Sequence, residues 1–239
     1  MSNADDLMRN ATEDIGESER GQLANELLRE FFRGYPLDNL KVLLHSSNAD
    51  ALRTGVWIAS ELGKIAKPLL RDVAPLLKHP DGRVRFDAID NALTCAGIGD
   101  GDVIATVLSC LTDQVGFVRW KALDFFIRAS SEQLEQAAEY LEIGNIEGSE
   151  MVSALHWLMI DTARSSDTIK SKLNSLSPIE RKIGVVAAAR SSDPGDVLLR
   201  SAAESKDEDI QKIATSVLKS RQLEREIADA RLQRQRGEQ

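Results

Sequence analysis

Two pairs of side chains in this chain combine an aromatic ring with a carboxylate four residues further on: Trp120 with Asp124, and Trp157 with Asp161. Residues four apart lie on the same face of a helix, so each pair would present a ring and a negative charge to one neighbour. Large rings commonly anchor binding partners, and His156 beside Trp157 is a further candidate anchor. Alternatively, the rings fill gaps between helices and the carboxylates form hydrogen bonds between helices.

Negative charge is concentrated in one stretch of the chain. Residues 129–163 contain no Lys or Arg and carry a formal charge of -7, while the whole chain carries -8. The acidic residues of this stretch are Glu132, Glu135, Glu139, Glu142, Glu147, Glu150 and Asp161. A field of one sign attracts a partner of the opposite sign, so we expect the last five to contact a basic protein. A solvated helix face that only maintains solubility would give the same pattern.

Composition and motifs argue against several other functions. The net charge of -8 is opposite in sign to what a general nucleic-acid binder needs. His45, His79 and His156 are widely separated, and no nucleotide-binding, zinc-protease or serine-hydrolase motif occurs, so we expect no enzyme activity, metal or cofactor. Cys95 and Cys110 sit among apolar residues, which is typical of buried thiols.

Two further features bear on location. The first 19 residues are acidic and polar, unlike a signal peptide, and no window approaches the ~20 apolar residues of a membrane span. We expect a soluble, cytoplasmic, monomeric protein without a membrane partner.

The elements that must position these side chains are repeated along the chain. The sequence VRFDAID at 84–90 returns as VRWKALD at 118–124, and Leu77 before the first copy matches Leu111 before the second. A period of about 34 residues with one apolar helical face per copy is typical of a helical solenoid. A small residue recurs in the middle of the second helix of each hairpin, and we expect it to let the neighbouring helix approach closely. These residues are Gly55, Ala88, Ala122, Ala154, Gly184 and Ala214.

The pattern divides the chain into three parts. We predict an N-terminal tail and capping helix at 1–34, a repeat domain at 35–220, and a charged C-terminal helix or tail at 221–239. Pro75 is expected to bend the first helix of the second hairpin. Ser130 or Ser131, close to Gln133, is expected to cap the helix that follows.

The turns that lead into the second helices carry a resemblance to a known family. The signatures D-G-x-V-R at 81–85 and G-x-V-R-W at 116–120 resemble those of bacterial HEAT-like repeats. The resemblance implies an all-α, right-handed α-solenoid of about six helical hairpins that binds macromolecules. In that family, polar residues near the turns form a ladder between repeats. Only Arg85 and Arg119 match here, so we expect a short ladder.

Our leading hypothesis is a non-enzymatic protein-binding module with an acidic concave surface. Its partner would be a basic protein, such as a toxin or nuclease domain that an immunity-type inhibitor neutralises. Nucleic acid is not the expected partner. The alternative is an alkylpurine DNA glycosylase, since HEAT-like members of that class use aromatic and Asp side chains on the concave face. In such an enzyme Asp124 or Asp161 would stabilise positive charge on the sugar, and the Trp of the same pair would hold the cationic base. A chromophore lyase is a third possibility, because that class also uses HEAT-like arrays.

Overall fold

The computed structural model describes residues 3–13, 16–143, 150–159, 165–192 and 196–237, and all regular structure in these ranges is helical. The all-α class predicted from the sequence is therefore confirmed. The α-helices are α1 (Asn3–Ala11), α2 (Glu17–Phe32), α3 (Leu40–Leu44), α4 (Ala49–Glu61), α5 (Leu70–Val73), α6 (Gly82–Cys95), α7 (Gly101–Ser109), α8 (Gly116–Arg128), α9 (Ser131–Ile143), α10 (Glu150–Met159), α11 (Ser166–Leu173), α12 (Pro178–Arg190), α13 (Val197–Ala203) and α14 (Glu208–Gly237). Short 3-10 segments occupy Leu37–Asn39, Gly63–Leu69, Ala74–Lys78 and Cys110–Thr112. None of the helices in these ranges has the length and apolar character needed to cross a membrane.

The described residues form two compact units. The first holds α1 to α7, α8 as far as Phe125, and α9; the second holds residues 126–128 and α10 to α14. In the first unit α3 packs against α4, α4 against α6, and α7 against α9. In the second, α11 packs against α12, α13 packs against α14, and α12 contacts both α10 and α14. In both units, consecutive helices pack as pairs. The second helix of one pair also contacts a helix further along the chain, as α4 contacts α6 and α12 contacts α14.

Glycine in the middle of two helices allows the close approach that the sequence predicts. A Cβ atom on Gly55 of α4 would lie 2.7 Å from Cβ of Leu43 in α3. A Cβ atom on Gly184 of α12 would lie 2.8 Å from the backbone nitrogen of Leu173 in α11. Real Cβ atoms do not tolerate such distances, so the predicted role of these two glycines is confirmed.

The start of α9 is fixed by side-chain hydrogen bonds. The N–H of Gln133 donates to Oγ of Ser130 at 3.1 Å, and the N–H of Ser130 donates to Oε1 of Gln133 at 2.9 Å. This reciprocal pair is a capping box and confirms Ser130 as the cap. The amide nitrogen of Gln133 also donates to the carbonyls of Leu93 and Ala96, at 3.1 and 2.9 Å. The same residue therefore ties the start of α9 to the end of α6.

The helix that precedes α6 is broken up by proline. The four-residue α5 lies between 3-10 segments that contain Pro68 and Pro75. Proline has no N–H and its ring clashes with the preceding turn, so regular α-helical hydrogen bonding cannot continue through it. At Pro75, where a bend was expected, the structure shows a change from the α-helix α5 to a 3-10 segment.

Three arginines on different helices make the same contacts, and we call Arg85, Arg119 and Arg181 the arginine ladder. Each follows the N-cap residue of its helix by four positions, and its Nη1 donates to two consecutive carbonyls of the preceding turn. Arg85 also forms a bidentate pair with Asp113, with both distances 2.7 Å. Arg181 pairs with Asp207 at 2.9 Å. The short ladder expected from Arg85 and Arg119 alone therefore has a third member in the second unit.

The last helix, α14, continues through residue 221, where a separate charged segment was expected to begin. Asp196 is buried in the left-handed region with φ of 56°, and its carboxylate pairs with both Arg221 and Arg225. Arg221 also donates to the carbonyl of Ala189 at 2.5 Å. These contacts attach the middle of α14 to the second unit.

Candidate binding site

Three aromatic rings from α6 and α8 lie together, and we call Phe86, Phe117 and Trp120 the aromatic surface. The rings of Phe86 and Phe117 meet edge to face, with centroids 6.0 Å apart. Those of Phe86 and Trp120 are nearly parallel, with an interplanar angle of 10° and centroids 6.5 Å apart. The Phe117 side chain is 47% exposed, and the other two residues are partly exposed. Phe86 and Phe117 also line a shallow cavity of about 360 Å³ with Arg83 and Asp87.

Carboxylates surround one buried ammonium group beside this surface. Lys121 is only 8% exposed, and its Nζ lies 2.5 Å from Oδ1 of Asp90 and 3.8 Å from Oδ2 of Asp124. The same Nζ lies 4.9 Å from the ring centroid of Phe86. Burial and, to a smaller extent, the nearby carboxylate of Asp90 raise the pKa of Asp87 to about 7, against the opposing charge of Lys121. Asp90 and Asp124 thus lie close to one ammonium group, whose charge also acts on Asp87.

This arrangement suits a cationic group from a binding partner. Exposed ring faces attract an ammonium or guanidinium through their π electrons. A guanidinium on the aromatic surface could also pair with Asp87, which lines the same cavity. Such a pair would favour the charged form of Asp87, so binding would release the proton that this carboxyl holds at or below neutral pH.

Replacing Asp87 with Asn is expected to remove part of the pH dependence of stability. The folded-state pKa of about 7 lies above the ordinary value of 3.8, so the folded protein binds the extra proton between these values. The free energy of unfolding should therefore fall as the pH rises from about 4 to above 7, by roughly 1–3 kcal/mol. Urea unfolding at pH 5 and pH 8 measures this difference. The difference in free energy of unfolding between the two pH values should be smaller in Asp87→Asn and unchanged in Asp38→Asn, which alters an exposed carboxylate. An equal decrease in both variants would contradict the conclusion that Asp87 causes the pH dependence.

The structure places the sequence-predicted residues on several helices. Trp120 and Asp124 lie on α8, beside Phe86 and Lys121. Exposed Glu139 and Glu142 lie on α9, which packs against α7. The aromatic surface and the acidic residues of α9 are therefore carried by different helices of the first unit.

The remaining predicted residues lie on α10 or outside the residues that the structure describes. Glu150, His156 and Trp157 lie on α10 in the second unit. Nζ of Lys172 lies 5.5 Å from the ring centroid of Trp157, a cation–π contact within that unit. Glu147 and Asp161 lie outside the described residues. The i, i+4 pairing of Trp and Asp is thus described at Trp120 and Asp124 alone.

Six residues of the site were not named as candidate site residues from the sequence: Arg83, Phe86, Asp87, Asp90, Phe117 and Lys121. One signal for Phe86 was present, because it occupies the position of Trp120 in the preceding repeat. Side chains at equivalent positions of neighbouring repeats meet when their helices pack side by side. No such signal marks Phe117, which lies one turn before Trp120 on α8.

Comparison with known proteins does not assign this chain to a family. No protein-family model matches it, and no curated protein shows a significant match to it.

Proposed function

We propose that this protein is a non-enzymatic binding module built as a right-handed α-solenoid of about six HEAT-like hairpins. The solenoid arrangement is supported by the contacts within each unit. Consecutive helices pack as pairs, and the second helices of different pairs contact each other, as α4 contacts α6 and α12 contacts α14. The close approaches at Gly55 and Gly184 and the arginine ladder provide further support, because equivalent residues make equivalent contacts in different hairpins.

The partner in this proposal is a basic protein, anchored at the aromatic surface. The observation that carries the proposal is the exposure of this surface beside the carboxyl groups of Asp87, Asp90 and Asp124. Trp, Tyr and Phe make up only 5% of the chain, yet three such rings meet at this one place. Aromatic side chains of this kind dominate binding energy at protein interfaces, and neighbouring carboxylates select a cationic partner.

The acidic residues of α9 have a different task in this proposal. Glu132, Glu135, Glu139 and Glu142 are all exposed on that helix. Exposed charges of one sign raise the rate of encounter with a basic protein more than they raise the final affinity. Reversing Glu139 and Glu142 should therefore slow association and weaken its salt dependence, while loss of an aromatic anchor should speed dissociation.

The biological role that fits these properties best is that of an immunity-type inhibitor in the cytoplasm. A basic toxin, such as a nuclease domain, would be neutralised when the module covers its active site. Once the partner is purified, equimolar addition of this protein should abolish its toxic activity.

Site-specific crosslinking in cells tests this proposal. A photoreactive amino acid in place of Phe117 should capture a protein rich in Lys and Arg, whereas the same group in place of the exposed Phe32 on α2 should not. Capture of the same proteins at both positions, or of an acidic protein at Phe117, would argue against it. Release of alkylated bases from DNA would instead support the glycosylase alternative. In that case Asp124→Asn or Asp161→Asn should reduce the release.

A further inference from the structure

The cavity beside the aromatic surface carries two charged side chains of opposite sign. Arg83 and Asp87 line it together with the rings of Phe86 and Phe117. Neither charged side chain forms a hydrogen bond or an ion pair with another of the described residues. They are four positions apart on α6, so their Cβ atoms lie about 5–6 Å apart on one face of the helix. The two groups are thus close together, and both can contact a partner.

The surroundings of Arg83 favour a negative group. It lies in the first turn of α6, where the helix dipole attracts anions. The first residue of this helix, Gly82, lies against the Phe117 ring, since a Cβ atom on it would be 3.2 Å from Cζ of that ring. The N-cap residue, Asp81, accepts a hydrogen bond from the backbone N–H of Arg83, but its carboxylate pairs with Arg53. Within the described part of the chain, no carboxylate forms an ion pair with the Arg83 guanidinium.

The surroundings of Asp87 favour a positive group. The carboxylates of Asp90, Glu61 and Asp81 repel a negative charge on it, and the ammonium of Lys121 opposes them. That ammonium lies 2.5 Å from the carboxylate of Asp90, which is its closer partner. A second cation, supplied by a binding partner, would therefore offset the repulsion that Lys121 leaves in place.

We propose that the binding partner presents an arginine and a carboxylate side chain together, with its guanidinium at Asp87 and its carboxylate at Arg83. This inference rests on the proposed function, and it adds that the basic partner carries an acidic residue at the contact. The stem of the partner's arginine would lie against the rings of Phe86 and Phe117. An arginine and a glutamate four residues apart on a helix have the same Cβ spacing as Arg83 and Asp87, so two helices could form both ion pairs at once.

The shape of the cavity suits protein side chains better than a free small molecule. Sites for small ligands enclose about 70% or more of the ligand surface. Here the cavity of about 360 Å³ is shallow, and Phe117 at its edge is 47% exposed. Free arginine carries both a guanidinium and a carboxylate, but most of its surface would stay in water. We therefore expect free arginine to bind at least about tenfold more weakly than a peptide that carries the same two groups.

Isothermal titration calorimetry with two helical peptides tests this inference. One peptide carries Arg and Glu four residues apart, and in the other Gln replaces that Glu. The titrations are made in low salt at pH 8, where Asp87 has lost its proton. The Arg–Glu peptide should bind the unmodified protein about threefold more tightly than the Arg–Gln peptide, which is the size of effect expected for an exposed ion pair.

Arg83→Gln should change the two affinities in opposite directions. It should weaken binding of the Arg–Glu peptide, whose carboxylate loses its contact. It should strengthen binding of the Arg–Gln peptide, because it removes a positive charge that repels the arginine of that peptide. Arg29→Gln, which removes another exposed arginine on α2, should leave both affinities unchanged. Both substitutions are at exposed positions, so thermal unfolding should also be unchanged.

Three results would overturn the inference. The first is an effect of Arg83→Gln that has the same direction for both peptides. The second is equal or tighter binding of the Arg–Gln peptide by the unmodified protein, which would indicate a purely basic partner segment. The third is binding of free arginine as tight as that of the Arg–Glu peptide, which would indicate a small-molecule site. In the first two cases the proposed function stands if Phe117→Ala weakens binding of both peptides, whereas no binding of either peptide would contradict the proposed function as well.

Discussion

Gly101→Ala is expected to lower the free energy of unfolding by about 3 kcal/mol, the upper range for a group forced into a packed interface. Gly101 is the first residue of α7 and is buried against α9. A Cβ atom here would collide with the carbonyl oxygen of Gln136 and lie 2.9 Å from Cβ of Tyr140. The first of these is a backbone atom inside a helix, so α7 and α9 would have to separate. Urea unfolding measures the loss.

Gly21→Ala is the matched control for this prediction. Gly21 lies inside α2, and a Cβ atom there would meet no other atom within 4 Å. Alanine favours the helix over glycine, so this change should raise the free energy of unfolding by about 0.5–1 kcal/mol. The two substitutions are chemically identical, and we expect opposite signs. If both stabilised the protein, the close approach of α7 and α9 would be wrong.

Arg85→Ala is expected to cost about 3 kcal/mol. The side chains of Arg85 and Asp113 are each only 11% exposed, and the guanidinium also satisfies the carbonyls of His79 and Pro80. Removing one partner of a mostly buried ion pair leaves the other charge uncompensated, which accounts for most of this cost. Arg85→Lys should recover only part of it, because an ammonium cannot form the bidentate contact.

The effect of Arg85→Ala should also depend on pH. Burial alone would raise the pKa of Asp113, but the guanidinium of Arg85 and the N–H of Val115 outweigh burial and lower that pKa below its ordinary value of 3.8. The stabilisation from this pair is therefore present above about pH 4 and is lost as the pH falls through the lowered pKa. The free energies of unfolding of the unmodified protein and of Arg85→Ala should therefore become more similar as the pH falls below about 4.

Arg33→Ala is the control for the pair of Arg85 and Asp113. Arg33 pairs with Glu30 on the surface of α2 at 2.7 Å, with most of its side chain in solvent. Exposed ion pairs contribute little, so its loss should change the free energy of unfolding by less than about 0.5 kcal/mol. An equally small effect of Arg85→Ala would show that the arginine ladder does not contribute to stability.

Local rules predicted much of the fold from the sequence. Spacing of apolar residues indicated the all-α class, and a small residue in the middle of the helix identified Gly55 and Gly184. The sequence narrowed the cap to Ser130 or Ser131, and the structure shows Ser130. Each of these signals acts within a few residues or between adjacent helices, so a periodic sequence displays it directly.

Contacts between distant residues were harder to predict. Arg181 escaped notice because Glu180 precedes it, whereas Val precedes Arg85 and Arg119. Its role depends on its distance from the N-cap and not on the residue before it. The attachment of α14 by Asp196 likewise joins residues far apart in sequence, and the charged composition of the C-terminal segment gave no sign of it.

The candidate site was predicted only in part. Trp120 and Asp124 were identified because their spacing places them on one helix face. Phe117 and Asp87 were missed, because exposure and a raised pKa depend on how α6 and α8 pack and not on spacing along one helix. The acidic stretch at 129–163 was evident from composition, but composition cannot tell which helix faces a partner.

The affinity of the aromatic surface for a cationic probe tests our central claim most directly. Isothermal titration calorimetry with an arginine-rich peptide should show binding that tightens from pH 6 to pH 8, as Asp87 loses its proton. Phe117→Ala should weaken this binding by about tenfold or more, and Asp87→Asn should remove its pH dependence. Phe32→Ala, which removes another exposed ring, should leave the affinity unchanged. Equal affinity in Phe117→Ala and Phe32→Ala, or no binding by the unmodified protein, would contradict the proposal that this surface receives a basic partner.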